Sequence, residues 1–258
     1  MWPYGGELTQ AQKGEDSGVL VVFVHHYGGN MHTTKRHSRL VNKLGFDSFR
    51  FNLPYNPMLT QTPPHKVAMF LSMQLTFGLD RLWGNAIYNV LQHFKDRKIV
   101  VYSLSSPSFG AIHALAKLKT PPNILGWICD GGPFFNLWKS FENYFSIIDR
   151  IPNKALRAGV TTFSYFLWRG PFLKTIVQKK LKSFRKDFPV LSIRGHLDLL
   201  VPPESIADVF EGHDHLDLKV LDLEESGHLD GIKLQPQIYR KTVEEFFKIH
   251  ADFSKPKL

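Results

Sequence analysis

The 258-residue chain has one cysteine, Cys129. No internal disulfide can form, which fits a reducing compartment. Cys129 closes the apolar run Ile124-Leu-Gly-Trp-Ile-Cys and reads as a buried strand thiol, not a nucleophile. No stretch approaches the roughly 18–20 apolar residues of a membrane span. The opening residues, Met1-Trp-Pro-Tyr-Gly-Gly-Glu, have neither the basic patch nor the apolar core of a secretory signal. These absences lead to the expectation of a soluble cytoplasmic protein. Internal repeats, low-complexity tracts and nucleic-acid-binding motifs are also missing. No Gly-x-Gly-x-x-Gly turn follows the first apolar strand, where His25-His-Tyr-Gly-Gly stands instead, and this argues against a dinucleotide site.

Acidic charge is scarce in one place. The net charge is +9, and residues 133–187 hold eleven Lys/Arg against three Asp/Glu, leaving +8 of that total in one segment. Charge confined to one segment is a local surface feature and not a footprint for nucleic acid. Its tail, 174–186, carries Lys179, Lys180, Lys182, Arg185 and Lys186. Such a run is usually a solvated helix face; the sharper reading is a weak contact with anionic membrane or an anionic substrate.

What is present is ordinary globular composition, 43% hydrophobic and 21% charged, with length enough for one α/β domain over 1–258. Strand and helix patterns alternate, as a parallel sheet with helices on both faces requires. Val19-Leu-Val-Val-Phe-Val24 is a continuous apolar run suited to a central parallel strand. Further strands are predicted at 47–53, 98–103, 124–130, 190–194 and 218–223. Helices are predicted at 34–44, capped by Gly45, through Leu82, Ile87, Val90, Leu91 and Phe94, through 111–116, and at 238–249.

Two strand ends carry chemistry. In Phe188-Pro-Val-Leu-Ser-Ile-Arg-Gly-His-Leu-Asp198-Leu-Leu-Val-Pro-Pro203 the apolar run breaks at Gly195 and delivers an acid into a loop. In Lys219-Val-Leu-Asp-Leu-Glu-Glu-Ser-Gly-His228 the next strand ends in Gly227 and a histidine. Of the twelve histidines, His228 alone joins a preceding glycine, a strand end and a position 30 residues after the acid. His196, His213 and His215 are nearby loop histidines of the ordinary solvated kind.

An acid and then a histidine at successive strand ends resemble the last two members of the triad of α/β-hydrolases, in which they follow a serine on a tight strand-to-helix turn. Gly-His-Leu-Asp-Leu-Leu-Val-Pro-Pro matches that family's Gly-x-x-Asp-x-x-Val-Pro spacing, which favours Asp198 over its rival Asp130 in Cys129-Asp-Gly-Gly132. The resemblance covers roughly residues 18–250. It implies a mostly parallel sheet of about six strands, without both antiparallel strands that usually open such sheets, because the segment before Val19 is short and polar. It also implies a helical cap inserted at 133–187.

The family's Gly-x-Ser-x-Gly elbow has a loose counterpart in Ser103-Leu-Ser105-Ser106-Pro107-Ser108-Phe109-Gly110. One register makes Ser105 the nucleophile, with the strand filled by 99–102 and Pro107 in the first helical turn, where its missing N–H costs nothing. The other makes Ser108 the nucleophile and puts proline directly before it. Ser105 is favoured. His25-His-Tyr-Gly-Gly resembles the His-Gly-x-Gly-Gly turn whose backbone N–H, here that of Tyr27, faces a developing oxyanion; Ser106 N–H is the second donor. Adjacent His25 and His26 point apart on an extended chain, so no metal is expected, nor any organic cofactor.

The implied activity is serine hydrolysis of a carboxylic ester, a small-molecule substrate of medium size, through Ser105, His228 and Asp198. The 133–187 segment holds twelve of the 34 aromatic residues, which favours an apolar acyl or alkyl group and also offers a surface for a homodimer. A peptidase or thioesterase on the same triad is one alternative. Another is a catalytically silent protein that binds a partner or anionic membrane through its basic aromatic cap; Ser103, His26 and Pro107, each in a glycine position, keep that alternative open.

Overall fold

The computed structural model describes residues 2–12, 17–54 and 79–251. The segment between Pro54 and the helix through Leu82 lies outside the described residues. Among the described residues seven strands form one sheet: β1 (Glu7–Thr9), β2 (Val19–Val24), β3 (Asp47–Arg50), β4 (Lys98–Leu104), β5 (Ile124–Asp130), β6 (Phe188–Gly195) and β7 (Leu216–Leu223). Their order is β1-β3-β2-β4-β5-β6-β7. β2 to β7 are parallel and correspond to the six predicted strands. β1 is the addition, one short antiparallel strand on the β3 edge. Its pattern is too brief to read from sequence. Tertiary contacts hold the N-terminal segment there: Arg50 pairs with Glu7, Ala11 N donates to Asp47 Oδ1, and Asn42 Nδ2 donates to Thr9 O.

The helices are α1 (Lys35–Lys43), α2 (Leu79–His93), α3 (Ser108–Leu118), α4 (Leu137–Asn143), α5 (Lys154–Leu167), α6 (Gly170–Leu181), α7 (Pro203–Phe210), α8 (Gly231–Leu234) and α9 (Pro236–His250). Side chains of a strand alternate between faces, and both faces of this sheet are dry. Leu20, Val22, Val24, Val101 and Trp127 pack with residues of α2, α3, α6 and α7. Val19, Val21, Phe23, Val100, Tyr102 and Ile128 pack with Val41 of α1 and Tyr239, Val243, Phe246 and Phe247 of α9. This double burial explains why β2 is apolar at every position.

Segment 133–187 divides in two. Leu173, Val177 and Leu181 of α6 are buried in the same core as Ile112 and Val209, so α6 belongs to the layer against the sheet. Helices α4 and α5 are joined by a π-helical turn at Tyr144–Ile148; α4 reaches the same core through Leu137, and α5 packs on α4 through Tyr165 on Trp138 and through Trp168, just past its last turn, on Phe141. The basic tail is partly tied down. Lys180 pairs with Asp80 of α2, and Arg185 donates to the carbonyls of Thr120, Pro121 and Ile124. Asp80 also pairs with Arg169, at the α5–α6 junction. The two cations hold the Asp80 carboxyl below its usual range against the opposing effect of burial. Among the described residues no helix is long and apolar enough to cross a membrane.

Candidate active site

Strand β4 ends at Leu104, and the chain turns through Ser105 into α3. Ser105 has φ 58°, a left-handed conformation that costs a serine on the order of 1 kcal/mol and persists only where surroundings impose it. The surroundings are visible. Ser105 N donates to Asp130 O at 2.8 Å, continuing the ladder to β5 past its formal end. Ser108 N and Phe109 N then donate to Ser105 O and Ser106 O, closing the first turn of α3. Gly132 presses on this turn: a Cβ there would sit 2.5 Å from Ser105 O. Only glycine permits that approach.

Ser108, the rival of Ser105, and Ser103, in the first glycine position, are occupied elsewhere. Ser103 Oγ accepts from Trp127 Nε1 at 2.8 Å and shares a 2.8 Å hydrogen bond with Ser108 Oγ. Both are fully buried. Ser103 therefore fills a glycine position with a hydroxyl that satisfies the indole below it. Pro107 has φ −60°, compatible with the entry to α3. Ser105 Oγ alone of the three meets the histidine, 2.9 Å from His228 Nε2. His228 Nδ1 donates to Asp198 Oδ2 at 2.6 Å.

Asp198 is oriented from both sides. Its Oδ1 accepts from the N–H groups of Leu200 and Val201, each at 2.8 Å, which leaves Oδ2 for the imidazole. The loops after β6 and β7 are zipped together: His196 N donates to Leu223 O and Leu197 N to Ser226 O. The contact is so close that a Cβ on Gly195 would lie 2.5 Å from the carbonyls of Ser226 and Gly227. Glycine at 195 thus sets the distance between the acid's loop and the histidine's. Asp130 faces elsewhere. Its Oδ2 accepts from Tyr239 Oη at 2.6 Å and lies 3.6 Å from His37 Nε2, within the core on the α1/α9 side.

The turn after β2 is braced by its histidines. His25 is buried; its Nδ1 donates to His26 O and its Nε2 accepts from Leu53 N. Burial pushes its pKa down to about 4, so the ring is neutral, as that pair of bonds requires. His26 Nδ1 donates to Tyr27 O, and burial lowers this pKa too. Each imidazole is thus committed to the backbone, and among the described residues no group of three metal-ligating side chains converges. Neither Tyr27 N nor Ser106 N donates to a protein acceptor among the described residues. The Tyr27 ring lies among Trp83, Tyr144 and Trp168, with centroids 6.0–6.1 Å away, and burial raises its hydroxyl pKa. His213 and His215 are bound to Gln178 and to Leu181 O, away from this site.

The architecture has solved counterparts. An esterase of Pyrococcus furiosus is 17% identical, with a TM-score of 0.62 over 96% of this chain and 92% of that one. MenH of S. aureus is 12% identical, with a TM-score of 0.60 over 96% and 99%. A dienelactone hydrolase of Anabaena variabilis is 15% identical, with a TM-score of 0.59 over 95% and 91%. No protein-family model and no curated protein sequence matches the chain.

Proposed function

On the α/β-hydrolase fold that this chain adopts, we propose a serine hydrolase that cleaves carboxylic esters, with Ser105, His228 and Asp198 as its triad. One observation carries the reading: a serine in a left-handed turn between strand and helix, 2.9 Å from an imidazole whose other nitrogen is 2.6 Å from a buried carboxylate. Ser105 Oγ attacks the ester carbonyl carbon and its proton passes to His228 Nε2. The carbonyl oxygen becomes an oxyanion held by the N–H groups of Tyr27 and Ser106. Collapse expels the alcohol, which takes the proton from His228, and leaves an acyl-serine. Water then attacks by the same route and releases the acid. Asp198 keeps the imidazole in the accepting tautomer and faces its positive charge while the proton is held.

The substrate proposed is a medium-sized small-molecule ester with an apolar acyl or alkyl group. Its support is the aromatic seam of Tyr27, Trp83, Phe141, Tyr144 and Trp168. Three of these come from 133–187, whose α4–α5 portion acts as the cap. The neighbouring esterase and dienelactone hydrolase structures are consistent with an ester.

A fluorophosphonate probe followed by peptide mapping tests the reading. Label on Ser105 is expected, and Ser105→Ala should abolish it and lower p-nitrophenyl ester turnover by ~10³-fold or more. Label on Ser108 overturns the nucleophile. No label on folded protein favours the silent binder, whose sequence support is the non-glycine residues Ser103, His26 and Pro107.

A further inference from the structure

Asn143 is the last residue of α4, where the helix passes into the π-helical turn Tyr144–Ile148. Its side-chain amide donates through Nδ2 to Leu199 O, in the loop that carries Asp198. A carbonyl can only accept, so the NH2 side of the amide is the one that faces it. Leu199 O and Leu200 N belong to one peptide unit. That unit is planar and trans, so its C=O and N–H point in opposite directions, and fixing the oxygen fixes the N–H. Leu200 N donates to Asp198 Oδ1 at 2.8 Å. From there Asp198 Oδ2 meets His228 Nδ1 at 2.6 Å, and His228 Nε2 meets Ser105 Oγ at 2.9 Å. One line of hydrogen bonds thus runs from the 133–187 segment to the elbow serine, and bonds in series polarise one another.

The acid's loop has reason to need this support. Leu197 and Leu199, on either side of Asp198, are 61% and 69% exposed, so apolar packing does not clamp the chain at those positions. Leu197 N is held by Ser226 O on the β7 side, and Leu199 O is held by Asn143 on the α4 side. Asn143 is itself well anchored. Ser146 Oγ donates to Asn143 O, and Asn136 N at the start of α4 donates to Ser205 Oγ of α7. The next residue, Tyr144, packs edge-on against Tyr27, with centroids 6.0 Å apart. One turn therefore touches both the loop of Asp198 and the turn after β2. The Asn143 bond is open to solvent. Water can satisfy Leu199 O in its place but cannot tie the peptide to α4, so the loss of Asn143 removes position more than stability.

We propose that Asn143 is a positioning residue: its amide fixes the Leu199–Leu200 peptide and, through it, aims the Asp198 carboxylate at His228. The acid is then fully seated only while α4 and its π-helical turn are in place. The inference rests on the serine-hydrolase reading.

The test compares the full chain with Asn143→Ala and with Asn143→Leu, which has nearly the shape of asparagine and no donor. Four quantities are measured on each: kcat and KM on p-nitrophenyl acetate, the unfolding temperature, and the proton NMR signal of His228 Nδ1–H. That proton lies at low field where the bond to the carboxylate is short and charge-assisted. Expected in both variants is a fall in kcat of about fivefold with KM and unfolding temperature little changed. The His228 signal should move upfield and broaden. Folded variants with wild-type kcat and an unmoved signal overturn the proposal. So does a lower kcat with an unmoved signal, because Asn143 then acts by another route. A variant that loses only unfolding temperature makes Asn143 structural and overturns it as well. Fluorophosphonate labelling of the wild type tests the hydrolase reading separately. If Ser105 takes no label that reading fails, and the His228 signal, which needs no turnover, still decides whether Asn143 aims Asp198.

Discussion

At the scale of single residues, the turn after β2 stores a pH dependence that does not involve the proposed triad. His25 is neutral in the folded chain because burial depresses its pKa from the ordinary 6.5 to about 4. In the unfolded chain it titrates near 6.5. Below that pH the unfolded chain binds a proton that the folded chain refuses until about pH 4. Stability from keeping His25 neutral is therefore complete above pH 6.5 and is lost as pH falls through about 4, a change of about 3 kcal/mol. Urea unfolding of His25→Gln should show lower stability near neutrality, from the lost bond to Leu53 N, and a shallower decline with acid. His113 is depressed to about 4 by burial and Lys180, so part of the acid slope will remain. An unchanged slope would place the acid sensitivity elsewhere.

At the scale of elements, the site depends on loops pressed together more closely than side chains permit. The end of β5 lies against the elbow after β4, with Gly132 beneath Ser105 O. Gly132→Ala should push the elbow away from His228. A displacement near 1 Å in reacting groups costs on the order of 10²-fold. The expected result is a fall in kcat of that size on a p-nitrophenyl ester, with KM little changed. Wild-type kcat in a folded Gly132→Ala protein would mean that the elbow is held by its hydrogen bonds alone. The loops after β6 and β7 show the same device at Gly195. Sequence shows these glycines and the strand ends they close. It does not show which backbone each one touches, because the partners are far apart in the chain.

At the scale of the molecule, the sheet presents its carboxyl-end loops to helices α4 and α5, and the rings of Tyr27, Trp83 and Trp168 fill the seam. If that seam accepts the acyl group, p-nitrophenyl ester rates will depend on chain length from acetate to decanoate. Trp168→Ala should shift the optimum to longer chains by enlarging the space. A flat series in the wild type would count against acyl selection by the cap.

The sequence by itself determined the six parallel strands, because residues buried on both faces of a sheet must be apolar without interruption, as 19–24 are. It also put an acid, Asp198, and a histidine, His228, after successive strands, where the runs break at Gly195 and Gly227. Tertiary structure alone decided the rest. It paired Ser108 with Ser103, which also accepts from the Trp127 indole, while Ser105 met His228, and it turned Asp130 toward Tyr239 while Asp198 met His228. It placed β1 on the sheet edge and α6 of the 133–187 segment in the layer against the sheet. It also left Leu156, Phe163 and Phe166 of α5 exposed. Hydrophobic pattern records that a residue type recurs on one side of an element, and only packing against distant chain decides which side faces water.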